Sequence, residues 1–60
     1  GKRSIYVSSY IKSGEKISKK NIKIVRPGYG LHPRYFDEVI GKIALTDMSP
    51  GEKLKFDKLK

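Results

Sequence analysis

Residues 7–22 read VSSYIKSGEKISKKNI and residues 44–59 read ALTDMSPGEKLKFDKL, and the likeness of these two stretches decides the fold. Each holds Gly-Glu-Lys followed by an aliphatic residue, Gly14-Glu15-Lys16-Ile17 and Gly51-Glu52-Lys53-Leu54, at an offset of 37 residues. The apolar positions keep that offset: Ile11 matches Met48, Ile17 matches Leu54, and Ile22 matches Leu59. A β-prone run opens each half, Ile5-Tyr6-Val7 and Ile43-Ala44-Leu45. Self-similarity at a fixed offset predicts two similar half-units packed about a pseudo-two-fold axis.

Working outward, Ser13-Gly14 and Pro50-Gly51 are turn dipeptides in which glycine can take positive φ. Ser18-Lys19-Lys20-Asn21 reads as a single 3₁₀ or α turn with Ser18 as its N-cap. The alternation in residues 22–26 predicts a strand with Ile22 and Ile24 facing inward. Pro33 begins a helix expected to run to Ile40 and to be closed by Gly41. Tyr35, Phe36, Val39 and Ile40 would be its buried stripe, with Asp37 and Glu38 outward. The expected fold is small, irregular and mostly β, with short strands, 3₁₀ turns and one short helix.

Sixty residues support one small domain, whose stability should be marginal because so short a chain buries only about 60% of its unfolded surface. The absence of cysteine excludes a disulfide framework, a thiolate metal site and a cysteine nucleophile, and points to a reducing compartment, the cytoplasm. No apolar run is long enough for a membrane span or a signal-peptide core. The formal charge of +8 raises nucleic acid as a partner. Against it, the lysines are spread along the chain and interrupted by Glu15, Asp47, Glu52 and Asp57, and no aromatic-basic motif appears. A solvated lysine-rich surface is the better reading.

The catalytic inventory is short. His32 is the one histidine, and with no cysteine it has no partner for a metal site or a nucleophile pair. Its place just before Pro33 suits an N-cap better than a general base. Asp37 and Glu38 are adjacent on a predicted helix and diverge, so they make a poor acid–base pair. The chain on its own is not expected to be an enzyme, and no catalytic residue is assigned.

The informative connection is Arg26-Pro27-Gly28-Tyr29-Gly30-Leu31-His32-Pro33, with two prolines and two glycines in eight residues. Pro27 restricts the backbone of Arg26, whose side chain therefore springs from a restrained stem. Its guanidinium could donate to a ligand carbonyl or carboxylate, or equally to carbonyls of its own loop. Pro27, Gly28 and Gly30 are read as shape residues, and Tyr29 as either a residue that stacks on a ligand or a core residue.

The motifs Ser4–Val7, Ile11–Glu15, Arg26–Gly30 and Ile40–Lys42 together resemble the SAF, or antifreeze-like, domain, a β-clip "pretzel" fold. More closely, residues 4–60 resemble the C-terminal domain of the sialic acid synthase family, with residues 1–3 as linker. The run R-P-G-Y-G-L-H-P-R-Y is similar to its pseudaminic acid synthase branch. The resemblance implies a parent enzyme that condenses phosphoenolpyruvate with an N-acyl amino sugar in an N-terminal TIM barrel. A divalent metal, Mn or Mg, would sit in that barrel, and no cofactor or metal in this domain. It further implies a domain-swapped homodimer in which Arg26 enters the partner subunit's active site and contacts the sugar's N-acyl group. Type III antifreeze proteins share the fold, which raises ice binding as an alternative. The corresponding segment, residues 9–21, carries Lys12, Glu15, Lys16, Lys19 and Lys20 and would make a poor ice-facing plane.

Overall fold

The computed structural model describes residues 2–60. Two strands, β1 (Ser4–Val7) and β2 (Ile22–Val25), pair antiparallel with Ser4 opposite Val25 and Val7 opposite Ile22. A 3₁₀ turn at Pro33–Tyr35 leads into α1 (Phe36–Val39), and a second 3₁₀ turn spans Phe56–Lys58. The rest is turns and isolated bridges. No helix among the described residues is long and apolar enough to cross a membrane.

The internal repeat is written into the hydrogen bonds. Val7 N–H donates to the Glu52 carbonyl at 2.9 Å, and 37 residues on Ala44 N–H donates to the Glu15 carbonyl at 2.9 Å. Gly51 N–H to Val7 C=O (2.8 Å) is mirrored by Gly14 N–H to Ala44 C=O (2.7 Å). Leu54 N–H to Ile5 C=O (3.0 Å) is mirrored by Ile17 N–H to Lys42 C=O (2.8 Å). The bridge Tyr6–Lys53 likewise has its counterpart in Ile43–Lys16, and the β-ladder pair Val7–Ile22 in Ala44–Leu59. Ile11 and Met48, equivalent in the repeat, exchange both backbone bonds with each other, at 2.9 and 2.8 Å. They therefore straddle the pseudo-two-fold axis. Both are fully buried, so the axis runs through the core.

Turn chemistry follows the same symmetry. Gly14 and Gly51 have φ of +91° and +93°, a region that costs an L-residue its Cβ clearance. Each is followed by a glutamate whose carboxylate accepts from the backbone three residues earlier: Glu15 from Lys12 N–H at 3.0 Å, Glu52 from Ser49 N–H. Ser18 caps its turn as expected, its Oγ accepting from Lys20 N–H at 3.2 Å. Asn21 reaches back to accept from Ser18 N–H at 2.9 Å.

The core contains Ile5, Val7, Ile11, Ile17, Ile22, Val39, Ala44, Met48, Leu54 and Leu59. Two expectations are corrected here. Ile24 does not face a core: it is 38% exposed. It shares a face with Ile22, but β2 runs past the margin of the core, so alternation gave the side and not the depth. The helix is also shorter than residues 33–40, because Pro33–Tyr35 is 3₁₀ and Ile40 leaves helical geometry with ψ of 127°. One α turn cannot bury a four-residue stripe. Val39 is fully buried, while Tyr35, Phe36 and Ile40 pack half-buried against the core, and Gly41 closes the turn with φ of +91°.

Candidate functional site

Residues 26–32 cross over β1, and their shape is set from beneath. Along β1, Ile5 and Val7 point to one face and Ser4 and Tyr6 to the other, yet all four are buried. The first pair enters the core. The second pair lies under the loop, where Ser4 Oγ donates to the Pro27 carbonyl at 3.1 Å and Tyr6 Oη donates to the same oxygen at 2.7 Å. Farther along, Ile5 N–H donates to the Leu31 carbonyl at 3.0 Å. The loop is thus tied at both ends to one strand, and the Arg26–Pro27 peptide is cis.

Close approach requires glycine at position 28 and leaves little room at position 30. A Cβ on Gly28 would lie 2.7 Å from Lys2 Cβ, 2.9 Å from Lys2 C and 3.1 Å from the Arg3 carbonyl oxygen. A Cβ on Gly30 would meet Lys53 Cβ at 3.1 Å. Lys2 and Arg3, read from sequence as linker, therefore lie against the loop, while Gly1 falls outside the described residues.

The Arg26 side chain is exposed, as is Tyr29 at 74%. Tyr29 is thus not a core residue. Lys2, Arg26, Pro27, Gly28 and Tyr29 line a shallow recess of about 360 Å³. A neighbouring recess of about 320 Å³ is lined by Lys2, Arg3, Gly28, Gly30, His32 and Pro33. Neither has a carboxylate in its lining. Among the described residues the one ion pair joins Lys58 to Glu52 at 3.1 Å, so Arg26 has no carboxylate partner there. The arginine does not serve as an internal loop tether either, since none of the side-chain hydrogen bonds described starts from its guanidinium.

His32 is the N-cap of the 3₁₀ turn: its Nδ1 accepts from Arg34 N–H at 3.0 Å. That bond occupies the ring with structure. No group of three or more His, Cys, Asp or Glu side chains that could hold a metal occurs among the described residues. Lys12, Glu15, Lys16, Lys19 and Lys20 are all exposed, which puts five charges on the segment that ice binding would use.

Ser4 and Tyr6 escaped sequence reasoning as parts of this site, as did Lys2 and Arg3. The alternation Ser-Ile-Tyr-Val places the two hydroxyls on one face, which is readable in advance. That the opposite end of their bonds is a carbonyl 21 and 23 residues away is not.

The chain, a two-fold repeat of short strands, matches the SAF domain family over residues 2–60. It belongs to that family. It is 49% identical over 53 residues to a pseudaminic acid synthase of Campylobacter jejuni, covering 88% of this chain and 16% of that protein. It is 36% identical over 55 residues to the pseudaminic acid synthase of Helicobacter pylori, covering 92% and 16%. Among solved structures it resembles the spore coat polysaccharide biosynthesis protein SpsE of Bacillus subtilis, with a TM-score of 0.86, 34% identity, and coverage of 97% of this chain and 17% of that one. Salmonella FlgA in its closed form shares the fold, with a TM-score of 0.83 at 17% identity, covering 97% and 31%. The chain spans about one-sixth of the length of the synthases it matches.

Proposed function

We propose that this domain is the C-terminal substrate lid of a sialic (nonulosonic) acid synthase of the pseudaminic type. In this reading the parent enzyme condenses phosphoenolpyruvate with an N-acyl amino sugar in a TIM barrel. The lid reaches over the barrel of a partner subunit in a cytoplasmic, domain-swapped homodimer, and Arg26 contacts the sugar's N-acyl group there. Any divalent metal belongs to the barrel.

The observation that carries the reading is an exposed arginine, without a carboxylate partner among the described residues, on a loop tied to β1 at both ends. Such a guanidinium keeps its donors for an outside acceptor and loses little orientational freedom on engaging it. Its work would be to orient the acceptor and help exclude water, with no proton transferred. The similarity to pseudaminic acid synthases supports the choice of reaction.

Two measurements on the full-length synthase test it. Arg26→Ala should weaken use of the acceptor sugar by about 1.5–3 kcal/mol, the scale of a charged hydrogen bond, while the KM for phosphoenolpyruvate stays unchanged. Unaltered sugar kinetics in an intact dimer would remove Arg26 from the site. Mixed dimers then test the geometry. A subunit with an inactivated barrel and intact lid should restore activity to one with an intact barrel and Arg26→Ala. No restoration would mean that the lid does not act across the dimer.

A further inference from the structure

We infer that Tyr6 and Ser4 are positioning residues for Arg26, acting through the Pro27 carbonyl; the inference rests on the reading of Arg26 as the lid's sugar contact. The carbonyl belongs to the residue directly after Arg26, and it receives two hydroxyl donors from one strand face, at 2.7 and 3.1 Å. A carbonyl oxygen has two lone pairs, so the pair of donors saturates it. On the other side of Arg26, Val25 is held in register opposite Ser4 at the end of β2. Pro27 itself has a ring-locked φ. The Arg26 backbone is therefore fenced by a strand end before it and a doubly held peptide after it, and mainly the side-chain rotors remain free.

The clamp costs a specific arrangement. Ser4 is fully buried and Tyr6 is 9% exposed, and both hydroxyls are spent on one loop oxygen. Had the loop needed only tethering, the backbone bond from Ile5 N–H to Leu31 would hold its far end without side chains. The two hydroxyls act at the arginine end.

Tyr6→Phe removes a single oxygen and keeps the ring, so the packing under the loop survives. In the full-length synthase it should raise the KM for the acceptor sugar about three- to tenfold, the range for loss of one neutral hydrogen bond, and leave the KM for phosphoenolpyruvate unmoved. Adding Ser4→Ala should raise it further, but not beyond the effect of Arg26→Ala, because everything the clamp contributes passes through that side chain. In an Arg26→Ala background, Tyr6→Phe should have no further effect on the sugar KM. If Arg26→Ala weakens sugar use while Tyr6→Phe only lowers Tm, or acts equally in both backgrounds, the hydroxyls are structural and the clamp is overturned while the lid reading stands. If Arg26→Ala leaves sugar use unchanged, the lid reading fails and the clamp falls with it.

Discussion

Gly28→Ala puts one methyl group where the structure has no room for it. The new Cβ would sit 2.7 Å from Lys2 Cβ, 2.9 Å from Lys2 C and 3.1 Å from the Arg3 oxygen. Carbon atoms in contact prefer about 3.5–4.0 Å, so the loop and the N-terminal segment must part by the better part of an ångström. Two of the three obstructing atoms are backbone, so no side-chain rotation relieves the contact. Forcing a methyl into a filled site costs typically about 1–3 kcal/mol. The φ of Gly28 is not in the left-handed region, so alanine also stiffens the unfolded chain and returns about 0.4–1 kcal/mol. The expected net loss is about 1–2 kcal/mol. In a domain of this size that lowers Tm by roughly 4–8 °C per kcal/mol, readable by thermal and urea unfolding of the 60-residue chain. Gly30→Ala is the internal comparison. Its closest obstruction is Lys53 Cβ at 3.1 Å, and it should cost less. A Gly28→Ala variant as stable as the parent, or one less damaging than Gly30→Ala, would refute the account of the loop lying against Lys2 and Arg3.

The pseudo-two-fold makes its own forecast. Gly14→Ala and Gly51→Ala meet no neighbour within 4 Å, so their cost is purely that of positive φ, about 1–2 kcal/mol each and equal within error; widely unequal losses in urea unfolding would show that the two turns are not equivalent. A pH profile tests the acidic turn residues. Glu52 is held below its ordinary 4.5, chiefly by the Ser49 N–H and then by Lys58, and Asp47 below its ordinary 3.8, chiefly by the Ser13 N–H and then by the Tyr10 hydroxyl. A depressed folded-state pKa means stability that is fully present above the unfolded value and lost as pH falls through the folded one. Urea midpoints should therefore decline as pH drops below about 4.5, and Glu52→Gln with Asp47→Asn should flatten that decline. An acid limb unchanged by the two substitutions would exclude these bonds as its source.

Legibility in the sequence tracked the range of the interaction. Ser18 as a cap, Gly14 and Gly51 as positive-φ turns, and Pro33 as a helix start depend on neighbours within a few residues, and each can be read from local stereochemistry. The repeat carried more, because an offset of 37 residues implies which distant positions are equivalent, and Ile11 and Met48 do meet at the axis. The helix falls short of residues 33–40 because Pro33–Tyr35 is 3₁₀ and Ile40 leaves helical geometry, whereas Ile24 is exposed for a different reason. Periodicity tells which way a side chain points and is silent on whether anything lies there to bury it. The same limit hid the roles of Ser4 and Tyr6.

By itself, then, the sequence determined the half-unit: its turns, its caps, its apolar face and the fact that there are two copies. It also supplied Arg26 on a proline-restricted stem. The tertiary structure alone decided that the polar face of β1 would be covered, that two hydroxyls would converge on the Pro27 carbonyl from 21 and 23 residues away, and that Lys2 would press on Gly28. Local bonds follow from local spacing, whereas these contacts exist only after the chain has closed on itself and brought strand and loop to one place.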